Sequence, residues 1–121
     1  LHLIQQGGRS ADDVARLLYR ESGLRGLSGL SSDMRELQAS AAPSARLAVD
    51  YFVEHVLREL AGMAAALRGL DRVVFTGGIG ENAAGLRERI VAGAAWMAPF
   101  DVQVLHTDEE AVIARHTAAL A

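Results

Sequence analysis

Val73-Val74-Phe75-Thr76 runs without a break into Gly77-Gly78-Ile79-Gly80 and then into Glu81-Asn82-Ala83. The first four residues are β-branched or aromatic, as suits a buried parallel strand. The glycines that follow let backbone come close to a ligand, because no Cβ stands in the way. A helix after such a turn points free amides and a partial positive charge outward. In open α/β sheets, ligands gather at the carboxyl ends of the strands. Three readings follow. The segment can be a tight strand-to-helix turn that binds nothing. It can be an anion or nucleotide site. It can also be a dinucleotide site, since Gly78-Ile79-Gly80-Glu81-Asn82-Ala83 fits G-x-G-x-x-[GA] and Asp101 lies near the usual acidic offset. The surroundings argue against the dinucleotide reading. A long helical region precedes the strand, and Asp101 falls at the start of the next strand, where a ribose-binding acid belongs at the end. A P-loop is excluded, because it needs Gly-Lys-Ser/Thr and all twelve basic residues here are arginine.

Ser10 followed by Asp12 and Asp13 reads as a helix start, with Val14, Leu17 and Leu18 as the apolar stripe and Gly23 as the stop. Residues 23–32 are rich in Gly and Ser and read as a structured loop. Asp33 then opens a short helix over 34–39. A long helix begins near Pro43, where Val49, Phe52, Val53, Val56, Leu60, Met63 and Leu67 recur at helical steps and predict one apolar face. Gly69 ends it. A helix of about 25 residues at ~1.5 Å each would cross a whole domain. After the glycine turn, a helix is expected over about 82–97, with Leu86, Ile90, Ala94 and Met97 inward and Pro99 as its break. A second strand is expected over 101–105. A last helix is expected over 107–120, with Thr107 and Glu110 at capping-box spacing. This order is an α/β arrangement with a partly parallel sheet. Two strands are marginal alone, and the chain begins with Leu1 rather than Met. The sequence therefore reads as a fragment whose other strands lie elsewhere.

Net charge is −3 with mixed signs, without the clustered positive charge of a nucleic-acid footprint. Cysteine is absent, which excludes disulfides and thiolate metal sites and makes the cytoplasm the simplest expectation. Leu1-His2-Leu3-Ile4 is too short for a signal-peptide core, and no apolar run approaches the ~20 residues of a membrane span. His2, His55, His106 and His116 lack metal-site spacing and read as structural or surface groups, while Trp96 and Met97 read as packing.

Four segments, in order, resemble the acetate kinases. Residues 75–82, FTGGIGEN, resemble that family's signature. Residues 22–36, SGLRGLSGLSSDMRE, are similar to its S-G-L-x-G-L-S-G-x-S-S-D-x-R segment. Leu86-Arg87-Glu88-Arg89 matches the start of the helix after the signature, and Thr107-Asp108-Glu109-Glu110 with Ile113-Ala114-Arg115 resembles the closing segment. The resemblance implies a partial RNase H-like α/β domain of the acetate and sugar kinase, Hsc70 and actin superfamily. Residues 1–121 would be the C-terminal part of the second, nucleotide-binding domain, without the N-terminal domain. It further implies reversible transfer of the ATP γ-phosphoryl group to acetate with Mg²⁺, in a homodimer. Propionate or butyrate kinase and a non-catalytic nucleotide-binding remnant are the alternatives.

By the same resemblance, Asp33, Met34 and Arg35 match a nucleotide-binding D-x-R segment. Gly78, Ile79, Gly80, Glu81 and Asn82 match residues around the adenosine and phosphates, and Glu109 matches a magnesium-linked glutamate. Read without it, Asp33 can be only a helix cap, and Glu109 and Glu110 can merely favour a helix N-terminus. The groups that the family uses to stabilise the moving phosphoryl come from segments not represented here, so the chain alone is expected to be inactive. Two departures stand out. Ala98-Pro99-Phe100 joins Met97 directly to Asp101 where a hairpin-sized stretch is usual, and His106 stands where proline is usual.

Overall fold

In a computed structural model, residues 1–120 are described, the side chain of Glu109 excepted. The chain forms two compact units, Leu1–Val56 and Leu57–Ala121. The first is all helical. After α1 (His2–Gln5), α2 (Ala11–Arg16) starts where Ser10 was expected to cap it: the Ser10 hydroxyl accepts the Asp13 N–H at 3.0 Å. The chain then widens into a π turn, Leu17–Glu21. A π turn holds more residues than an α turn, so it shifts the phase of the stripe. Val14 and Leu17 are half-buried, but Leu18 is turned out and exposed.

Part of the expected loop over 23–32 is instead helical. α3 (Gly23–Ser28) ends on Gly29, whose φ of +65° is left-handed. The buried Ser28 hydroxyl accepts the Leu30 and Ser31 amides at 3.1 and 3.3 Å. These local bonds outweigh the loop preference of a Gly/Ser-rich stretch. α4 (Met34–Ala39) and α5 (Pro43–Leu67) fall where the sequence placed them. The first unit's core is Met34 and Leu37 from α4 with Ala45, Ala48, Val49 and Val53 from α5. Toward the end of α5 the expected stripe is only half-buried at Val56 and Leu60 and exposed at Met63 and Leu67.

The second unit holds the remainder of α5, β1 (Arg72–Phe75), α6 (Gly77–Asn82), α7 (Ala84–Gly93), a 3₁₀ turn (Ala95–Met97), β2 (Asp101–Val104) and α8 (Glu109–Ala119). β1 and β2 pair in parallel, from Arg72 opposite Asp101 to Phe75 opposite Val104. This is a βαβ unit, the connection that parallel neighbours require. Leu86, Ile90 and Ala94 are buried, as expected. A Cβ on Gly93 would stand 2.5 Å from Leu57 Cδ1, so α7 approaches α5 closely there.

Four expectations need correction. The first strand is not buried: in β1 only Val73 and Phe75 are half-covered, and its neighbour β2 is exposed throughout, because among the described residues no further layer covers both faces of this sheet. The glycines do not make a simple turn before one helix over 82–97. They wind into α6 themselves, and the path breaks at Ala83 before α7. Trp96 is 72% exposed rather than packed, and Met97 is half-buried. α8 is capped by Asp108, which accepts the Ala111 N–H at 2.8 Å, because Thr107 is engaged elsewhere. Among the described residues, no helix is long and apolar enough to cross a membrane.

Candidate functional site

β1 and β2 both end at the same edge of their sheet, and each is followed by a connection to a helix. Thr76 leads from β1 into α6, while 105–108 lead from β2 into α8. Between these connections lies a cavity of about 510 Å³. One wall is Gly77, Gly78, Glu81 and Asn82. The other is His106, Thr107, Asp108 and Glu110. The location obeys the rule for open α/β sheets.

Two glycines are required by the local geometry. Gly77 has φ +71°, which an L side chain rarely adopts. A Cβ on Gly80 would lie 3.3 Å from the Phe75 carbonyl carbon, so α6 sits tightly on the end of β1. Gly78 differs: a Cβ there would meet nothing, and it faces the cavity.

Glu81 ties the two walls together. Its Oε1 accepts the Gly77 N–H at 3.0 Å, the Thr107 N–H at 2.9 Å and the Thr107 hydroxyl at 3.0 Å. Its Oε2 lies 2.5 Å from His106 Nδ1. The His106 bond, then the Thr107 amide, hold the Glu81 carboxyl at about 2, against its ordinary 4.5. Reciprocally, Glu81 raises His106 above its ordinary value. Arg87 supports the same segment from below, donating to the Gly80 and Glu81 carbonyls at 2.9 and 2.8 Å. Asn82 donates to the Gly78 carbonyl at 2.9 Å.

The D-x-R segment lies in the other unit. Asp33 caps α4 by accepting the Arg35 N–H at 2.8 Å, and it also pairs with the Arg35 guanidinium at 3.2 and 2.7 Å. This pairing holds the Asp33 carboxyl at about 2. The Arg35 side chain is otherwise open to solvent, whereas that of Met34 is in the core. The serines explain why the segment is held so: Ser31 Oγ accepts the Asp33 N–H at 3.0 Å, and Ser28 secures the turn before it.

The structure thus brings Gly78, Glu81 and Asn82 to one cavity, with Ile79 and Gly80 on the same short helix. The expected metal residue, Glu109, has a side chain outside the described residues. Among the described residues, no three carboxylate or imidazole groups gather as a metal cage. Mg²⁺ does not need one, since it keeps waters and takes one or two carboxylates beside nucleotide phosphates. Sequence reasoning missed Thr107, Arg87 and the bridging role of His106. The only signal for His106 was its departure from proline, which has no N–H to donate to Glu81. The dinucleotide reading fails in space: Asp101 sits at the opposite end of β2 from the cavity and pairs with Arg72 at 3.1 Å.

Known proteins match this chain along nearly its whole length. The sequence profile of the Acetokinase family matches residues 1–98. An acetate kinase of Methylocella silvestris is 46% identical over 140 aligned residues, covering 99% of this chain and 35% of its own. The crystal structure of Porphyromonas gingivalis acetate kinase superposes with a TM-score of 0.82 at 30% identity, covering 97% of this chain and 36% of that one. A propionate kinase from Francisella tularensis superposes with a TM-score of 0.79, also at 30% identity, covering 90% and 34%. The chain therefore spans about a third of the length of the relatives it matches. The Methylocella alignment is longer than the chain, so that relative carries residues missing here, and the family match stops at Ala98, beside the short connection to β2. With its ordered motifs and its parallel βαβ unit, the chain belongs to the acetokinase family, and its fold is a partial RNase H-like α/β domain of the acetate and sugar kinase, Hsc70 and actin superfamily.

Proposed function

We propose that this chain is the nucleotide-facing part of an acetate kinase, which transfers the γ-phosphoryl group of ATP reversibly to acetate and yields acetyl phosphate and ADP. The observation that carries the reading is the cavity of about 510 Å³ at the carboxyl ends of two parallel strands, walled by the glycine segment of an acetokinase-family chain. Its volume suits a small ligand. Gly78 offers bare backbone against which adenosine can lie, with Ile79, Gly80 and Asn82 along the same edge. Glu81 fixes that edge. In the other unit, Asp33 orients Arg35, whose guanidinium presents its remaining N–H groups to solvent for a nucleotide oxygen.

Mg²⁺, when bound with the nucleotide, supplies charge neutralisation at the phosphates, and Glu109 is the residue assigned to it by resemblance. Glu81, Asp108 and Glu110 line the cavity, and no arginine is among the described lining residues. A bare polyphosphate would be repelled there. Most of its counter-charge must come with the metal or from the rest of the full-length enzyme, since this chain is proposed to offer it only Arg35 and a protonated His106. The chain alone should therefore bind ADP weakly or not at all and turn over nothing, as a non-catalytic remnant would. A cytoplasmic homodimer is the proposed working form. The propionate kinase neighbour favours a second reading, a longer acid as acceptor.

The test is a chimera in which this chain follows the preceding two thirds of the Methylocella silvestris enzyme. Acyl phosphate formation with acetate, propionate and butyrate is measured. Turnover with acetate as the best acceptor is expected. A folded, ADP-binding chimera that phosphorylates none of the three would end both readings, and the choice between them is read from the same acid panel on this chain's own full-length parent, because the chimera's acid pocket is the Methylocella silvestris enzyme's.

A further inference from the structure

We infer that His106 is a positioning residue: through Glu81 it latches the two strand-to-helix connections together, so that the cavity's hold on an adenine nucleotide depends on His106 carrying its proton. The nucleotide in this inference rests on the function proposed above, whereas the latch rests on geometry alone.

Glu81 reaches Gly77 in the first connection and both Thr107 and His106 in the second. Only 14% of its side chain is exposed, while that of His106 is 82% exposed. The carboxylate is thus enclosed by donors, and one of them is a ring that exchanges protons freely with water. A protonated imidazole donates from both nitrogens, whereas a neutral one donates from a single nitrogen and can turn an acceptor toward Glu81. The other charges nearby favour the proton. Asp108, in the connection itself, attracts it, and Glu110 of α8 lines the same cavity. Arg87 of α7 is occupied by the Gly80 and Glu81 carbonyls.

The sign follows from His106 being raised above its ordinary value. The latch is fully formed below the ordinary histidine range and is lost as pH rises through the folded-state value. Above it, Glu81 Oε2 loses its cationic partner. A negative charge without its cationic partner then borders the space that phosphates approach, and only the Oε1 bonds to Gly77 and Thr107 still tie the two walls.

The experiment is an NMR titration of the 121-residue chain, following the His106 ring and the Gly77 and Thr107 amides together, in wild type, Glu81→Gln and His106→Gln. In wild type, His106 should titrate above the ordinary value of about 6.5, with both amides moving on the same curve. In Glu81→Gln the ring should return to the ordinary range. In His106→Gln the amide titration should disappear. Amides that ignore the His106 titration in wild type, or a His106 that titrates identically with and without Glu81, would overturn the latch. ADP is then titrated, on both sides of the His106 transition, into the chimera described above, with His106 intact and as His106→Gln. Affinity falling by up to about tenfold per pH unit, the limit for one linked proton, supports the nucleotide link. Affinity independent of pH refutes that link. Absence of ADP binding at either pH counts against the proposed function and against the nucleotide link, while the amide titration still decides the latch.

Discussion

Replacing Gly77 by alanine should destabilise the second unit by an amount that can be reasoned from its backbone. Gly77 has φ +71°, and a Cβ there would meet nothing within 4 Å. Steric crowding therefore contributes nothing, and the cost is conformational. Holding an L residue in the left-handed region costs about 1–2 kcal/mol. Alanine also narrows the unfolded ensemble, which offsets about 0.4–1 kcal/mol. At the centres of these ranges the net loss is about 0.8 kcal/mol. With a urea m-value of about 2 kcal/mol per M, the midpoint should fall by roughly 0.4 M. Gly62→Ala is the control. It lies inside α5 with equally open space and no positive φ. There alanine should stabilise by about 0.5–1 kcal/mol. The two substitutions are chemically identical and should move the midpoint in opposite directions, read by far-UV circular dichroism at fixed pH and salt. A Gly77→Ala protein as stable as wild type, beside a stabilised Gly62→Ala, would refute the claim that the turn into α6 demands glycine.

Leu86 is 1% exposed, so Leu86→Ala should cost about 2–4 kcal/mol, and a loss under about 1 kcal/mol by urea titration would show that its site collapses or is less enclosed than described. Trp96→Ala should change stability by no more than about 0.5 kcal/mol, since the ring is largely in water; a larger loss would mean that the ring is covered in solution. Asp33 is held at about 2 by Arg35, below its ordinary 3.8. Its contribution is present above the ordinary value and disappears as pH falls through about 2. Asp33→Asn should therefore flatten the stability profile between about pH 4 and pH 2, and an unchanged acid slope would show that the pair does not persist in solution.

Long-range regularities were legible in the residues. The 25-residue α5 was readable because its apolar spacing runs through many turns, and Gly69 marks its end. The two strands were readable from short apolar runs flanked by breakers, and α4 from the Asp33 cap. Burial was less legible. Leu67 lies five helical turns beyond Val49 on the same face, yet it is exposed while Val49 is buried. Periodicity says which side of a helix is apolar, not whether anything covers it. The same holds for Trp96, whose type suggested a core and whose place is the surface.

The site divides along the same line. Sequence alone determined where the candidate chemistry lies, because glycines at 77, 78 and 80 between a strand and a helix are a local code read by the backbone. It also determined the family, through motifs that keep their order. Tertiary structure decided what Glu81 does. Its partners Thr107 and His106 are 26 and 25 residues away in the chain, and only parallel pairing of β1 with β2 brings those two connections to one edge. A carboxylate's role is set by the donors that reach it, and no local pattern records donors delivered by a neighbouring strand.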